Sequence, residues 1–240
     1  MADQIPGFAP RLSQQRMAEA VTAALEAKST LIVEAGTGTG KTYAYLVPAL
    51  LAGMRVIIST GTRHLQDQLY QQDLPVVRRA LAIPVRVALL KGRSNYLCPY
   101  RLQITEESGR LSSREQVAEL RLIRMWAART RHGDIAEVTN VPETSLIWSR
   151  VTSTADNCLG QDCPRLDDCF LVKARREALA ADVLVINHHL FCADMAIKET
   201  GFAELLPGAE VFILDEAHQL PEIASHFFGR SLSGRQLSEL

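Results

Sequence analysis

The sequence predicts an α/β fold built on a doubly wound parallel sheet, and three observations carry that expectation. Short apolar runs rich in Val and Ile lack the polar alternation of half-exposed strands. Helical patterns fall between them, giving the βαβ rhythm of a parallel sheet. One run leads straight into a glycine-rich loop and then a helix, a strand–loop–helix order that phosphate-binding loops require. With 240 residues, 47% of them apolar, the chain can bury a substantial core as one large domain or one domain carrying an insertion.

In chain order, Ser13–Glu26 reads as a helix and Leu31–Glu34 as the first strand. A helix over Gly40–Ala52, a strand over Val56–Thr60 and a helix over His64–Leu81 follow. Val85–Leu90, Val183–Asn187 and Val211–Asp215 complete a set of five expected strands. The rhythm breaks once: about ninety residues separate Leu90 from Val183, where a crossover needs about a dozen. Four of the five cysteines lie in that gap, with a helix around Arg114–Arg131. Arg93–Ala180 therefore reads as an insertion, dividing the chain into 1–92, 93–180, 181–221 and a last segment 222–240.

Charge and targeting narrow the classes. The balance of 26 basic against 27 acidic residues leaves a net charge of −1, so any DNA contact must rest on local patches. No apolar run approaches the roughly 18–20 residues of a membrane span. The start lacks a basic region followed by an apolar core, so a cytoplasmic location is expected. Cysteines in such a chain are metal ligands more readily than disulfides.

The run Ala35-Gly36-Thr37-Gly38-Thr39-Gly40-Lys41-Thr42 is a Walker A loop, with Ala35 where Gly is usual. Its glycines let backbone N–H groups turn toward phosphates at a helix N-terminus. Lys41 is expected to neutralise β/γ-phosphate charge and Thr42 to ligate Mg²⁺. Val211–Leu214 then ends in Asp215-Glu216-Ala217-His218. A strand ending in two carboxylates places Asp215 to hold Mg²⁺ and Glu216 to deprotonate the attacking water. ATP–Mg²⁺ chemistry is the expectation.

Cys98, Cys158, Cys163 and Cys169 are spaced Cys-x59-Cys-x4-Cys-x5-Cys. Only the x4 step suits a zinc ribbon, and four thiolates could hold either zinc or an iron–sulfur cluster.

The Asp-Glu-Ala-His box resembles motif II of superfamily 2 helicases. Arg11-Leu12-Ser13-Gln14 resembles that superfamily's adenine-reading segment, which implies ATP contacts for Arg11 and Gln14; a polar helix start capped by Ser13 is the plain alternative. Ser59-Thr60-Gly61-Thr62-Arg63 and Leu65–Leu69 resemble motif Ia, making Thr60, Thr62 and Arg63 candidate contacts to single-stranded DNA, although a helix cap explains the threonines too. His218, closing the box, is assigned to coupling.

Lys91-Gly92-Arg93-Ser94-Asn95-Tyr96-Leu97-Cys98, the run from Cys158 to Phe170, and Ala181–His189 are similar to the DinG/YoaA helicases, bacterial relatives of XPD. The resemblance runs from about Phe8 to Leu240. It implies a RecA-like P-loop domain carrying a mainly helical insertion whose four cysteines ligate a 4Fe–4S cluster. Cys192 falls outside that pattern and reads as a buried free thiol, while His188 and His189 read as structural or close to DNA. Arg114, Arg121, Arg124 and Arg131 are expected on one helical face, opposite Leu122, Ile123 and Trp126. That stripe could track a DNA backbone or simply face water, and Arg121 and Arg124 are its candidate contacts; Lys173, Arg175 and Arg176 invite the same two readings.

The resemblance implies an ATP-dependent iron–sulfur DNA helicase moving 5′→3′ on single-stranded or forked DNA, with unidentified replication or repair proteins as partners. The arginine finger expected of a second motor domain does not appear before Leu240, so residues 1–240 are expected to bind nucleotide and hydrolyse it poorly. Two rivals are a translocase or nuclease-associated ATPase of the same superfamily, and a cluster-bearing DNA or redox sensor with weak ATPase.

Overall fold

A computed structural model describes residues 11–36, 38–199 and 205–230. Thr37 of the loop and residues 231–240 of the last expected segment lie outside the described residues. Helices α1 (Leu12–Glu26) and α2 (Lys41–Leu51) precede strand β1 (Val56–Thr60). Then come α3 (Arg63–Gln68), α4 (Leu74–Leu81) and β2 (Val87–Leu89). Helices α5 (Pro99–Ser108), α6 (Arg114–Ala127), α7 (Ile147–Val151) and α8 (Phe170–Ala180) follow, and β3 (Val183–Asn187), α9 (His188–Glu199), β4 (Val211–Leu214) and α10 (Leu220–Phe228) complete the order.

The four strands form one sheet in the order β2-β3-β1-β4, every neighbouring pair parallel. Ile58 of β1 lies opposite Val185 on one side and Ile213 on the other. All five residues of β1 and of β3 are buried, so these inner strands have no solvent face to alternate toward. Tyr45, Leu46, Ala49 and Leu50 from α2 and Leu74 and Val77 from α4 join Val56, Ile58, Val183 and Val185 in one core. β4, at the end of the order, alternates instead between half-buried Val211 and Ile213 and exposed Phe212 and Leu214.

Two expected elements change. Leu31–Glu34 belongs to no strand of the sheet, and Ile32 is 92% exposed. A run can carry strand composition without being buried, because burial is supplied by the neighbours that cover it. The helix expected over His64–Leu81 is divided by a wider π turn at Leu69–Asp73. Thr62 caps its start, accepting from Leu65 N at 3.2 Å. Leu69, Leu74 and Val77 stay buried across the π turn, so the register changes while the apolar face is kept.

Residue contacts divide the chain into two compact units, one running to Leu89 and resuming at Ala178, the other spanning Leu90–Glu177. The second has its own core of Leu97, Ile123, Val141, Ile147, Trp148 and Val151, with Trp126 and Phe170 against it. Gly133, at φ +65°, admits that packing: a Cβ there would stand 2.3 Å from the Phe170 ring. Ser113 caps α6 by accepting from Gln116 N at 3.2 Å. The helix stops at Ala127, so Arg131 lies beyond it, correcting the four-arginine stripe to Arg114, Arg121 and Arg124. Among the described residues no helix is long and apolar enough to cross a membrane.

Candidate functional site

The phosphate loop bends at two positive-φ glycines, Gly38 (+73°) and Gly40 (+83°), before α2 begins at Lys41. Thr39 Oγ1 donates to Gly36 O at 2.8 Å inside the loop. Ala35 leads into it from Leu31–Glu34. Gln14 Nε2 donates to Gly40 O at 3.1 Å and the Arg11 guanidinium donates to Gly38 O, so α1 braces the loop from outside. Arg11 is itself the residue at the start of that helix and no side chain caps it, which removes Ser13 as the cap.

Lys41 Nζ stands 3.0 Å from Glu216 Oε1, each side chain about three-quarters buried. Loop and box, far apart in sequence, thus meet at the carboxyl edge of the sheet. Glu216 takes φ +55°, unusual for a residue with a Cβ, and His218 Nδ1 lies 3.4 Å from its other oxygen while remaining largely exposed.

Asp215 is held by three elements. Its N–H donates to Ser59 O of β1 at 2.8 Å. Tyr45, from α2, donates its hydroxyl to Asp215 Oδ2 at 3.2 Å. The fully buried His188, just behind β3, lies 2.9 Å from Asp215 O through Nε2 and 2.7 Å from Ser59 Oγ through Nδ1. A carbonyl only accepts, so Nε2 carries the hydrogen. Burial pushes the imidazole pKa down and keeps the ring neutral, so Nδ1 accepts from the Ser59 hydroxyl. Burial also pushes the Asp215 carboxyl up, with Glu216 adding to the rise and Tyr45 and Lys41 opposing it. A carboxylate that is costly to charge among other carboxylates is relieved by a dication, which suits a Mg²⁺ ligand. The motifs do not single out Tyr45, whereas His188, expected to be structural or close to DNA, is buried and bonded to Ser59 and Asp215 at the sheet edge.

The DNA candidates separate by exposure. Thr60 is fully buried and donates to Thr62 O at 3.2 Å, which leaves its side chain no surface to offer and corrects that assignment. Thr62 and Arg63 are exposed at the start of α3, the former acting as its cap. Arg121 and Arg124 are exposed on α6, opposite buried Ile123, and Arg124 Nε lies 3.6 Å from Glu106.

The second unit holds a cavity of about 320 Å³, lined by Cys98, Cys158, Cys163 and Cys169 together. Cys98 precedes α5, Cys158 and Cys163 flank a short 3₁₀ turn at Gly160–Asp162, and Cys169 precedes α8. Cys98 N donates to Val151 O at 2.8 Å, tying the first cysteine to α7. Burial raises the Cys98 thiol pKa, and the neighbouring Cys169 and Cys163 raise it further. Arg175 lines the same cavity half-buried, its pKa lowered by burial and then by Arg93, whereas Lys173 and Arg176 on the same helix face water. Among the described residues no three His, Cys, Asp or Glu side chains stand as a ready single-ion site. Cys192 is buried, as expected of a free thiol.

Residues 14–126 match the family described as DEAD/DEAH box helicase. Over its whole length the chain is 58% identical to the ATP-dependent DNA helicase YoaA of Escherichia coli, covering 38% of that protein. It is 38% identical over 239 residues to the ATP-dependent helicase DinG of Mycobacterium tuberculosis, with 90% of this chain and 35% of that one aligned. It is also 32% identical over 236 residues to the 3′-5′ exonuclease DinG of Bacillus subtilis, with 96% of this chain and 24% of that one aligned. The chain therefore spans well under half the length of the relatives it matches.

Proposed function

We propose, from the premise that this chain carries a DEAD/DEAH box helicase domain, that it is the ATP-binding motor part of an ATP-dependent DNA helicase of the DinG/YoaA kind. The observation that carries the proposal is the meeting of Lys41 with Glu216 beside a half-buried, braced Asp215. In this reading the loop from Ala35 to Thr42, Thr37 included, wraps the phosphates, and Lys41 neutralises their charge. Thr42 and Asp215 hold Mg²⁺, and Glu216 takes the proton of the attacking water. Arg11 and Gln14 hold the loop from the adenine side, and the exposed His218 passes the state of Glu216 outward. Thr62, Arg63, Arg121 and Arg124 offer donors and charge for a single strand or fork, moved 5′→3′ as the resemblance implies.

Cys98, Cys158, Cys163 and Cys169 would hold a 4Fe–4S cluster, since all four thiols line one cavity within the inserted unit. Bound there, the group supplies a four-point crosslink and one-electron redox chemistry. The insertion 93–180 and the flanking parts 1–92, 181–221 and 222–240 belong to the same proposal, as does a cytoplasmic setting among replication or repair proteins.

The test is strand separation. Full-length protein should open a forked duplex with ATP and Mg²⁺, and Lys41→Ala should lose nucleotide binding and unwinding together. Wild-type protein that binds no ATP overturns the reading. The relative named an exonuclease supports a second one, a nuclease-associated ATPase. Mg²⁺-dependent digestion of single-stranded DNA without ATP would favour it.

A further inference from the structure

Tyr45 is 4% exposed and packs among Leu46, Val56 and Val185, where a Phe would fill the same space. Its hydroxyl nevertheless donates to Asp215 Oδ2 at 3.2 Å, across 170 residues of sequence. We propose that Tyr45 is a positioning residue that orients the Asp215 carboxylate for Mg²⁺ through its hydroxyl. The proposal rests on the nucleotide-binding reading of the site given above.

Helix geometry explains why one tyrosine can do this. Lys41 and Tyr45 are four residues apart and lie on one face of α2, while Asp215 and Glu216 are adjacent at the end of β4. Lys41 pairs with Glu216 at 3.0 Å and Tyr45 with Asp215 at 3.2 Å, so a single helical turn addresses the two carboxylates separately. Binding Oδ2 fixes the rotation of the Asp215 carboxylate, which lowers the reorganisation that metal binding would otherwise require.

The experiment is a Mg²⁺ titration of fluorescent ATP-analogue binding to full-length protein, wild type against Tyr45→Phe. The Mg²⁺ midpoint should rise about 3- to 10-fold in the variant, the scale of one hydrogen bond, with binding in EDTA unchanged. A midpoint that does not move, or a loss equal with and without Mg²⁺, overturns the proposal by reducing Tyr45 to packing. In an Asp215→Asn background, Tyr45→Phe should shift the midpoint no further; an undiminished shift there would also refute the coupling. Wild-type protein whose nucleotide binding ignores Mg²⁺ would instead overturn the site reading itself.

Discussion

Glu216 pairs with Lys41 at 3.0 Å while retaining an oxygen near His218, so neutralising it separates chemistry from binding. Glu216→Gln keeps the side-chain shape but cannot take a proton. Steady-state ATPase should fall by about 10²- to 10⁴-fold, with ATP affinity kept, as an equilibrium binding assay would show. His188 makes a different prediction, because its two ring nitrogens satisfy the Ser59 hydroxyl and the Asp215 carbonyl inside the sheet edge. Replacing it by Ala strands both groups and leaves a void. The cost should be roughly 2–3 kcal/mol, read as a lower urea midpoint with an unchanged m-value.

At the scale of elements, the start of β3 is fastened to the start of β2 through Asp182. Its carboxylate accepts from Arg86 N at 2.9 Å and from the Arg86 guanidinium at 3.1 and 3.3 Å. Those side-chain and then backbone hydrogen bonds hold the Asp182 pKa below the ordinary carboxylate range. A depressed carboxylate stabilises the fold above its unfolded pKa of about 3.9, and that contribution fades as pH falls through the lower folded value. The stability gap between wild type and Asp182→Asn should therefore be flat from about pH 5 to 8, shrink below about pH 4, and narrow with salt because the pair is exposed. Thermal melts across pH check it. β1 and β3 occupy the residues their apolar runs predict, because a strand buried on both faces writes its burial into every side chain. Leu31–Glu34 has the same composition without a ladder, since pairing depends on a neighbour's free edge, which no local run encodes. The π turn at Leu69–Asp73 was equally illegible: its apolar positions fit an α period closely enough, and only the backbone records the added residue. In the site, glycine spacing marked the loop, but the hydroxyl of Tyr45 and the ring of His188 gain meaning only from what β4 brings beside them.

For the molecule as a whole, the two compact units should respond separately to loss of the metal group. Cys98, Cys158, Cys163 and Cys169 come from separate stretches around one cavity, so a group bonded to all four would close long loops within Leu90–Glu177. The apolar core of that unit, centred on Ile123 and Ile147, is small, and its folding should draw on the metal as other small metal domains do. The half-buried Cys98 thiol, whose pKa desolvation raises, would have to lose its proton on ligation, so assembly should release protons and weaken at low pH. Replacing any one of the four by Ser should lower iron and acid-labile sulfide per chain. It should also make Leu90–Glu177 the first segment cut in limited proteolysis. The unit holding Lys41 and Asp215 has its own core from α2, α4 and the sheet, so binding of a fluorescent ATP analogue should survive in the same variant. Equal loss of nucleotide binding and cluster content would contradict this independence. Stoichiometric zinc in place of iron in the wild-type protein would contradict the cluster.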